Sequence, residues 1–256
     1  ARALENTAHD LKVSRDAQRR LLSDVSHELR SPLARMQVAL MLSLDDQNEV
    51  TNPHFQQLSR DVERLSTIIE RILSLSRLEN GLVKLTPQPV DTHQLASTLV
   101  ADLAYVDNHY GERLLVLDAD WPVTLTDDEL LRLVIENLVR NALQYTSGLV
   151  ELDCIREHTE TFIIVVRDHG DGVPEQQLEQ LFEPFFRGDP SRHHKSGVGL
   201  GMALSVRAAN VLGGSVSARN HPEGGLEISI RLPLNEVTND DTNAVTSEHE
   251  ADETQG

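Results

Sequence analysis

Residues 23–33 read Ser-Asp-Val-Ser-His-Glu-Leu-Arg-Ser-Pro-Leu, setting a histidine beside a glutamate inside a helical pattern. At ~100° per residue, Leu22, Val25, Leu29, Met36 and Leu40 gather on one side, with His27 nearly opposite, among Ser23, Asp24 and Ser31. The imidazole therefore faces solvent or a visiting domain. A neutral imidazole nitrogen is a nucleophile, and a carboxylate bonded to the other nitrogen fixes the tautomer and stabilises positive charge as it forms. Glu28 is the candidate for that carboxylate. His-Glu-x-x also opens a zinc-protease motif, which needs a second histidine one turn on. Position 31 is serine, so that reading fails. Pro32 removes the amide that would bond to the carbonyl of Glu28 and bends the helix just past His27.

Four short motifs follow, each weak alone. Glu136-Asn137-Leu-Val-Arg140-Asn141-Ala-Leu-Gln144-Tyr145 has a helical pattern, with Asn137, Asn141 and Tyr145 on one face and Arg140 and Gln144 on a neighbouring line. Amide oxygens aimed at a triphosphate can hold Mg²⁺, which keeps several waters and needs few protein ligands; a buried structural amide is the alternative. Asp168-His-Gly170-Asp-Gly172 follows a strand pattern. A carboxylate there can accept the exocyclic amino group of adenine, and glycines let backbone approach the ring; the same spacing also makes an ordinary loop. Phe182-Glu-Pro-Phe185-Phe186-Arg187 reads as the anchor of a mobile lid, with Arg187 or Lys195 reaching phosphate and the paired His193 and His194 solvated. Gly197-Val198-Gly199-Leu200-Gly201 opens a helix, where free amides and the dipole suit phosphate, although such a run also serves as a simple hinge. No Gly-x-x-x-x-Gly-Lys-Ser/Thr stretch occurs, which excludes a P-loop enzyme.

These groups need two kinds of support. Leu4 and Leu11 continue toward Leu22 at roughly heptad spacing, predicting one long helix to about Leu44, and Asp45 to Pro53 break the pattern. A second helix carries Leu58, Val62, Leu65, Ile69, Ile72 and Leu75 and stops near Asn80-Gly81. Two such helices cannot bury these seams alone, so a dimeric four-helix bundle is expected. From Leu82 the period changes. Strands are predicted at 114–117, 123–125, 149–155, 162–166, 215–218 and 226–232, and helices at about 91–106, 128–145, 175–181 and 200–212. Strands mixed with helices predict an α+β sandwich.

The 256 residues suit two modest domains, and 39% apolar with 25% charged residues is a soluble globular composition. The single Cys154 cannot form an internal disulfide and reads as a buried strand residue in a reducing compartment. No apolar run approaches the ~20 residues of a membrane span, and the start does not read as a signal peptide. A net charge of −18 argues against nucleic acid or anionic membrane as the main partner. Seven acidic residues and no Lys or Arg fall between Glu236 and Gly256, predicting a disordered acidic tail.

A Ser-His-Glu-Leu-Arg-x-Pro-Leu helix followed by these four motifs in order resembles the bacterial sensor histidine kinases over residues 1–234. Arg140-Asn-Ala-Leu-x-Tyr and Phe-Phe-Arg resemble most the proteobacterial envelope-stress sensor kinases. The resemblance implies an all-α dimeric helical hairpin, a four-helix bundle, followed by an α+β ATP-binding sandwich of the histidine kinase, gyrase and Hsp90 type. It implies a signalling helix end over 1–20, a dimerisation and phosphotransfer domain over 21–80, a linker over 81–86, an ATP-binding domain over 87–234 and the tail over 235–256. In its terms His27 is the phosphoacceptor, Glu28 orients or deprotonates it, and the hydroxyl of Ser31 positions a water for phosphatase chemistry. Asn137 and Asn141 are Asn-box residues with Asn141 on Mg²⁺, and Asp168 contacts adenine. Arg140, Tyr145, Gly170, Gly172, Arg187, Gly197, Gly199, Leu200 and Gly201 complete the implied ATP site.

The implied reaction moves the γ-phosphoryl of Mg-ATP to Nε2 of His27, then to an aspartate of a cognate response regulator. The implied location is the cytoplasmic part of an inner-membrane receptor whose sensor and membrane spans precede this chain. Three positions depart from the family pattern: Ser31 where Thr is commoner, Gln144 where the residue is often basic, and Val198 where Thr is frequent. Two rivals exist. An ATP-hydrolysing switch of the gyrase or Hsp90 kind places Glu four residues before the Mg²⁺ asparagine, where this chain has Asn137; Glu136 lies one residue further back and ~140° off that face. A non-catalytic ATP-binding scaffold is opposed by the intact His27–Glu28 pair.

Overall fold

The computed structural model describes residues 34, 36, 53–117, 120–158, 160–188, 198–235 and 237. His27, Glu28, Ser31, Gly197, Lys195, the 193–194 histidine pair, the break at 45–52 and the acidic tail lie outside the described residues. The chain divides into two compact units, 1–83 and 84–256.

In the first unit, α1 spans Pro53–Glu79. Its end is set by Asn80-Gly81: Gly81 takes φ 61°, its N–H donates to Leu78 O at 3.2 Å, and Leu82 N–H reaches back to Arg77 O at 2.9 Å. That pair of bonds is a Schellman motif, which only a residue tolerant of positive φ closes cheaply. Val62, Leu73 and Leu78 are buried, while Leu65 and Ile72 stay 51% and 38% exposed in the single chain. Those two lie seven residues apart and so share a line along the helix. Met36, on the apolar stripe of the first predicted helix, is likewise exposed.

The second unit contains β1 (Gln88–Asp91), α2 (Thr92–Val106), α3 (Asn108–Gly111), β2 (Leu114–Val116), β3 (Val123–Thr126), α4 (Asp128–Tyr145), β4 (Val150–His158) and β5 (Thr161–Asp168). Two 3₁₀ turns, α5 (Gly201–Val211), β6 (Ser215–Asn220) and β7 (Leu226–Pro233) complete it. One sheet has the order β2-β4-β5-β7-β6, with β2 parallel to β4 and the other neighbours antiparallel; β1 and β3 form a separate antiparallel pair. Alternation decides which face is covered. Phe162, Ile164, Val166 and Asp168 of β5 are buried, and Ile163, Val165 and Arg167 point the other way. Leu152 and Cys154 of β4 and Ile228, Ile230 and Leu232 of β7 extend the buried face, against which α4 packs beside α2 and α5.

α4 shows why this layer forms. Leu130, Leu131, Val134, Ile135, Leu138, Val139, Ala142 and Leu143 are buried along it, a stripe wide enough to meet a sheet and a helix together. Each fully buried aliphatic side chain contributes roughly 1.5–3 kcal/mol. The Asp127 carboxylate starts the helix, Oδ1 accepting from Leu130 N–H at 3.0 Å and Oδ2 from Thr86 N–H at 2.9 Å.

Three expectations change. The helix predicted at 175–181 is two 3₁₀ turns, Glu175–Gln177 and Gln180–Phe182, because the segment offers few apolar positions and neither turn is capped by a side chain. The sequence reading missed β1, whose Gln-Pro-Val-Asp has no alternation to detect, and the one-turn α3. The strand predicted at 149–155 runs from Val150 to His158. Cys154 is buried in β4, and burial, aided by Asp153 and Asp120, pushes its thiol up to about 12.

Candidate functional site

Some of the described candidate residues lie where α4 meets the start of α5, and others where the end of α4 approaches the end of β5. Asp168 occupies the last buried-face position of β5, where alternation calls for an apolar side chain, and is only 6% exposed. Its Oδ1 accepts from Gly170 N–H at 2.8 Å and from Leu226 N–H at 3.3 Å. Backbone donors thus hold one oxygen and fix the carboxylate's direction. A Cβ at Gly170 would lie 2.9 Å from Asp168 Oδ1, so a side chain there would push the carboxylate out of place. Gly172 adopts φ +71° and abuts Asn220 Oδ1.

On α4, Asn137 is half-buried, and its Nδ2 finds no hydrogen-bond partner among the described residues. A Cβ built on Gly201 would come within 3.3 Å of Asn137 Oδ1, so the first residue of α5 lies directly on the asparagine amide. An orphaned buried amide costs ~1–3 kcal/mol, which marks a place where an acceptor is missing. Leu200, before α5, gives no side-chain cap, and its own side chain is buried, so it can serve a ligand only through backbone. The first amides of α5 therefore form an uncapped, positively polarised end. Asn141 lies one turn beyond Asn137 and is half-buried; Tyr145 closes α4 and is 39% exposed.

Arg140 is paired along its own helix. Its Nε lies 2.7 Å from Glu136 Oε1, an i, i+4 ion pair on an exposed line of the helix. Phe185 and Gly199 bring the two ends of the expected lid together: Phe185 N–H donates to Gly199 O at 2.8 Å, and a Cβ on Gly199 would lie 2.7 Å from Phe186 O. Phe185 itself adopts φ 67° with its ring 59% exposed. Arg187, half-buried, is at the N-terminal edge of that segment.

The fold adds residues that motif reading missed. Arg113 donates to Leu143 O at 3.3 Å, Gly148 O at 3.0 Å and Thr146 O at 2.5 Å, tying the end of α4 to the loop after it. Buried Thr146 sits beside Gly170. Asn220 and Gly225 flank the Asp168 loop from the β6–β7 turn. Pro222 and the Gly224-Gly225 pair carry the sequence signal for that turn.

Acidic and nitrogen-bearing side chains do not explain the site as a metal cage. Among the described residues no group of three His, Cys, Asp or Glu side chains is placed to hold a metal. The donor set at the helix interface is amides, which suits Mg²⁺ completed by water and phosphate oxygens.

Residues 126–236 match the family model described as Histidine kinase-, DNA gyrase B-, and HSP90-like ATPase, and residues 17–81 match the His Kinase A (phospho-acceptor) domain. The sensor histidine kinase CpxA of Escherichia coli strain K12 is 35% identical over 223 residues, 85% of this chain and 47% of that protein. The sensor protein RstB of the same strain is 31% identical over 233 residues, covering 91% and 52%. The chain spans about half the length of the curated relatives it matches. In fold it is similar to full-length ShkA, solved in complex with AMPPNP, with a TM-score of 0.71 at 24% identity, over 85% of this chain and 46% of that one. It is also similar to the histidine kinase AdeS of Acinetobacter baumannii, with a TM-score of 0.60 at 23% identity, over 82% and 98%. A phospho-acceptor domain followed by an ATPase sandwich with this asparagine helix and buried aspartate identifies the chain as a member of the two-component sensor histidine kinases.

Proposed function

We propose that the chain is the phosphotransfer and ATP-binding part of a membrane receptor, and that it phosphorylates itself on His27. The observation carrying the nucleotide reading is the orphaned Nδ2 of Asn137 beside the uncapped start of α5. A phosphate oxygen satisfies both at once. Asp168, with Oδ1 held by two backbone amides, offers its carboxylate to the exocyclic amine of adenine, which selects that base over guanine. Asn141 would hold Mg²⁺ together with phosphate oxygens, Asn137 would bind the phosphates beside it, and the ion would neutralise charge on the transferring group.

The Nε2 lone pair of neutral His27 forms the N–P bond, and the bond from the γ-phosphorus to its bridging oxygen breaks to release ADP. Glu28, bonded to Nδ1–H, stabilises the imidazolium and takes that proton. The phosphoryl group then passes to a carboxylate of a response regulator, and in the phosphatase reaction Ser31 positions a water that attacks the aspartyl phosphate, releasing inorganic phosphate and the carboxylate. Exposed Leu65 and Ile72 on one line of α1 support a homodimer that covers them. The sensor names and greater length of the relatives support an inner-membrane receptor with this part in the cytoplasm. No described helix is long and apolar enough to cross a membrane.

Incubation with γ-labelled ATP tests the reading. Label that is lost in acid, kept in base and absent from His27→Gln is expected, with nucleotide affinity nearly unchanged in that variant. Acid-labile label persisting in His27→Gln overturns the assignment.

A further inference from the structure

The end of β6 carries a side chain that no motif claims. Asn220 lies on the same face of the sheet as Asp168, opposite Leu226, whose N–H bonds to Asp168 Oδ1. Its amide treats Val173 as a neighbouring strand would: Oδ1 accepts from Val173 N–H at 2.9 Å and Nδ2 donates to Val173 O at 2.7 Å. Nδ2 also approaches Glu175 Oε1 at 3.5 Å. The contact is close on the other side too, because a Cβ on Gly172 would lie 2.6 Å from Asn220 Oδ1. The turn that follows presses on the start of the same loop: a Cβ on Gly225 would fall 1.8 Å from Asp168 O. The loop from Asp168 to Val173 is therefore pinned at both ends, by Leu226 and Gly225 at the aspartate and by Asn220 at its exit.

The geometry points to Asn220 as a positioning residue that fixes how the Asp168 loop meets the base, and so sets the preference for adenine. This rests on the reading of Asp168 as the adenine acceptor. A carboxylate discriminates between bases only if its distance to the exocyclic group is fixed, since a loop free to shift accommodates a base that lacks the amine. Asn220 touches neither phosphates nor His27 in this reading, so its removal acts on binding and selectivity rather than on transfer. The loop must then be ordered when nucleotide binds, and that ordering is charged against affinity.

The test uses the full 256-residue chain, measuring autophosphorylation kinetics together with ATP and GTP affinities by calorimetry. Asn220→Ala is expected to raise KM for ATP about tenfold and leave kcat within about twofold. Its preference for ATP over GTP should fall by a similar factor. Asn220→Asp is nearly the same size and keeps the acceptor for Val173 N–H. It sets an oxygen against Val173 O and Glu175, so it should shift KM and preference in the same direction. A lowered Tm with KM and base preference unchanged in both variants overturns the proposal, because a merely structural side chain would act that way. Asp168→Asn is the control for the underlying reading. If that variant binds ATP as the parent does, adenine recognition by Asp168 fails, and the role of Asn220 falls with it.

Discussion

At the end of β5 the Asp168 carboxylate is met by two backbone amides, the exit of its loop is bonded by Asn220 at Val173, and glycines at 170, 172 and 225 stand where a Cβ would crowd its neighbours. At the start of α5 the opposite holds. Asn137 has a buried amide nitrogen without a partner, the helix has no side-chain cap, and Phe185 is held at positive φ with its ring in solvent. One end of the candidate site is satisfied by the protein's own groups, and in the proposed reading the other would be completed by a ligand. On that reading the difference follows from what each end would meet. A base is rigid and uncharged and is read by fixed geometry, whereas phosphates carry charge, bring an ion and must later leave.

The largest expected effect comes from breaking the satisfied end. Gly225→Val places carbon on the Asp168 carbonyl at a residue with φ +89°, adding ~1–3 kcal/mol of overpacking to ~1–2 kcal/mol of left-handed strain. Calorimetry should show Tm lower by roughly 10 °C and nucleotide binding lost. A variant of near-parental Tm would mean that the turn yields freely.

At the unsatisfied end the signs should separate. Asn137→Leu removes an orphaned amide worth ~1–3 kcal/mol and improves helix propensity. The ligand-free protein should gain a few degrees in Tm, about 2–4 °C per kcal/mol, while ATP affinity falls more than about tenfold. Loss of Tm with affinity retained would show that the amide serves the fold instead.

Phe185→Gly should do least. The left-handed backbone at Phe185 costs ~1–2 kcal/mol, and glycine relieves it but adds up to ~1 kcal/mol of unfolded-chain entropy. The two nearly cancel, leaving Tm within about 2 °C. A fall several times larger would make the exposed ring an anchor.

Much of this was legible in the chain. Helix α4 and strands β4, β5 and β7 announce themselves by period, and Asp168 stands out because it breaks an apolar alternation on the side that faces the core. Asn80-Gly81 states the end of α1 through the φ it permits. What stayed hidden depends on register between distant segments. Asn220 meets Val173 across 47 residues of sequence and Arg113 meets the end of α4 across about 30, and nothing local marks either as special. The pairing of Arg140 with Glu136 was available from i, i+4 spacing. Leu65 and Ile72 belong to a seam that two helices alone were expected not to bury, and they are open in the single chain.

Cys154 has a practical consequence. It is the only thiol of the chain, lies inside the sheet at 2% exposure, and titrates near 12. Only the thiolate alkylates, so at neutral pH the native protein offers a silent background for maleimide or nitroxide reagents. A cysteine introduced at Tyr105, 94% exposed at the end of α2, can carry a fluorophore or spin label with the native Cys154 left in place.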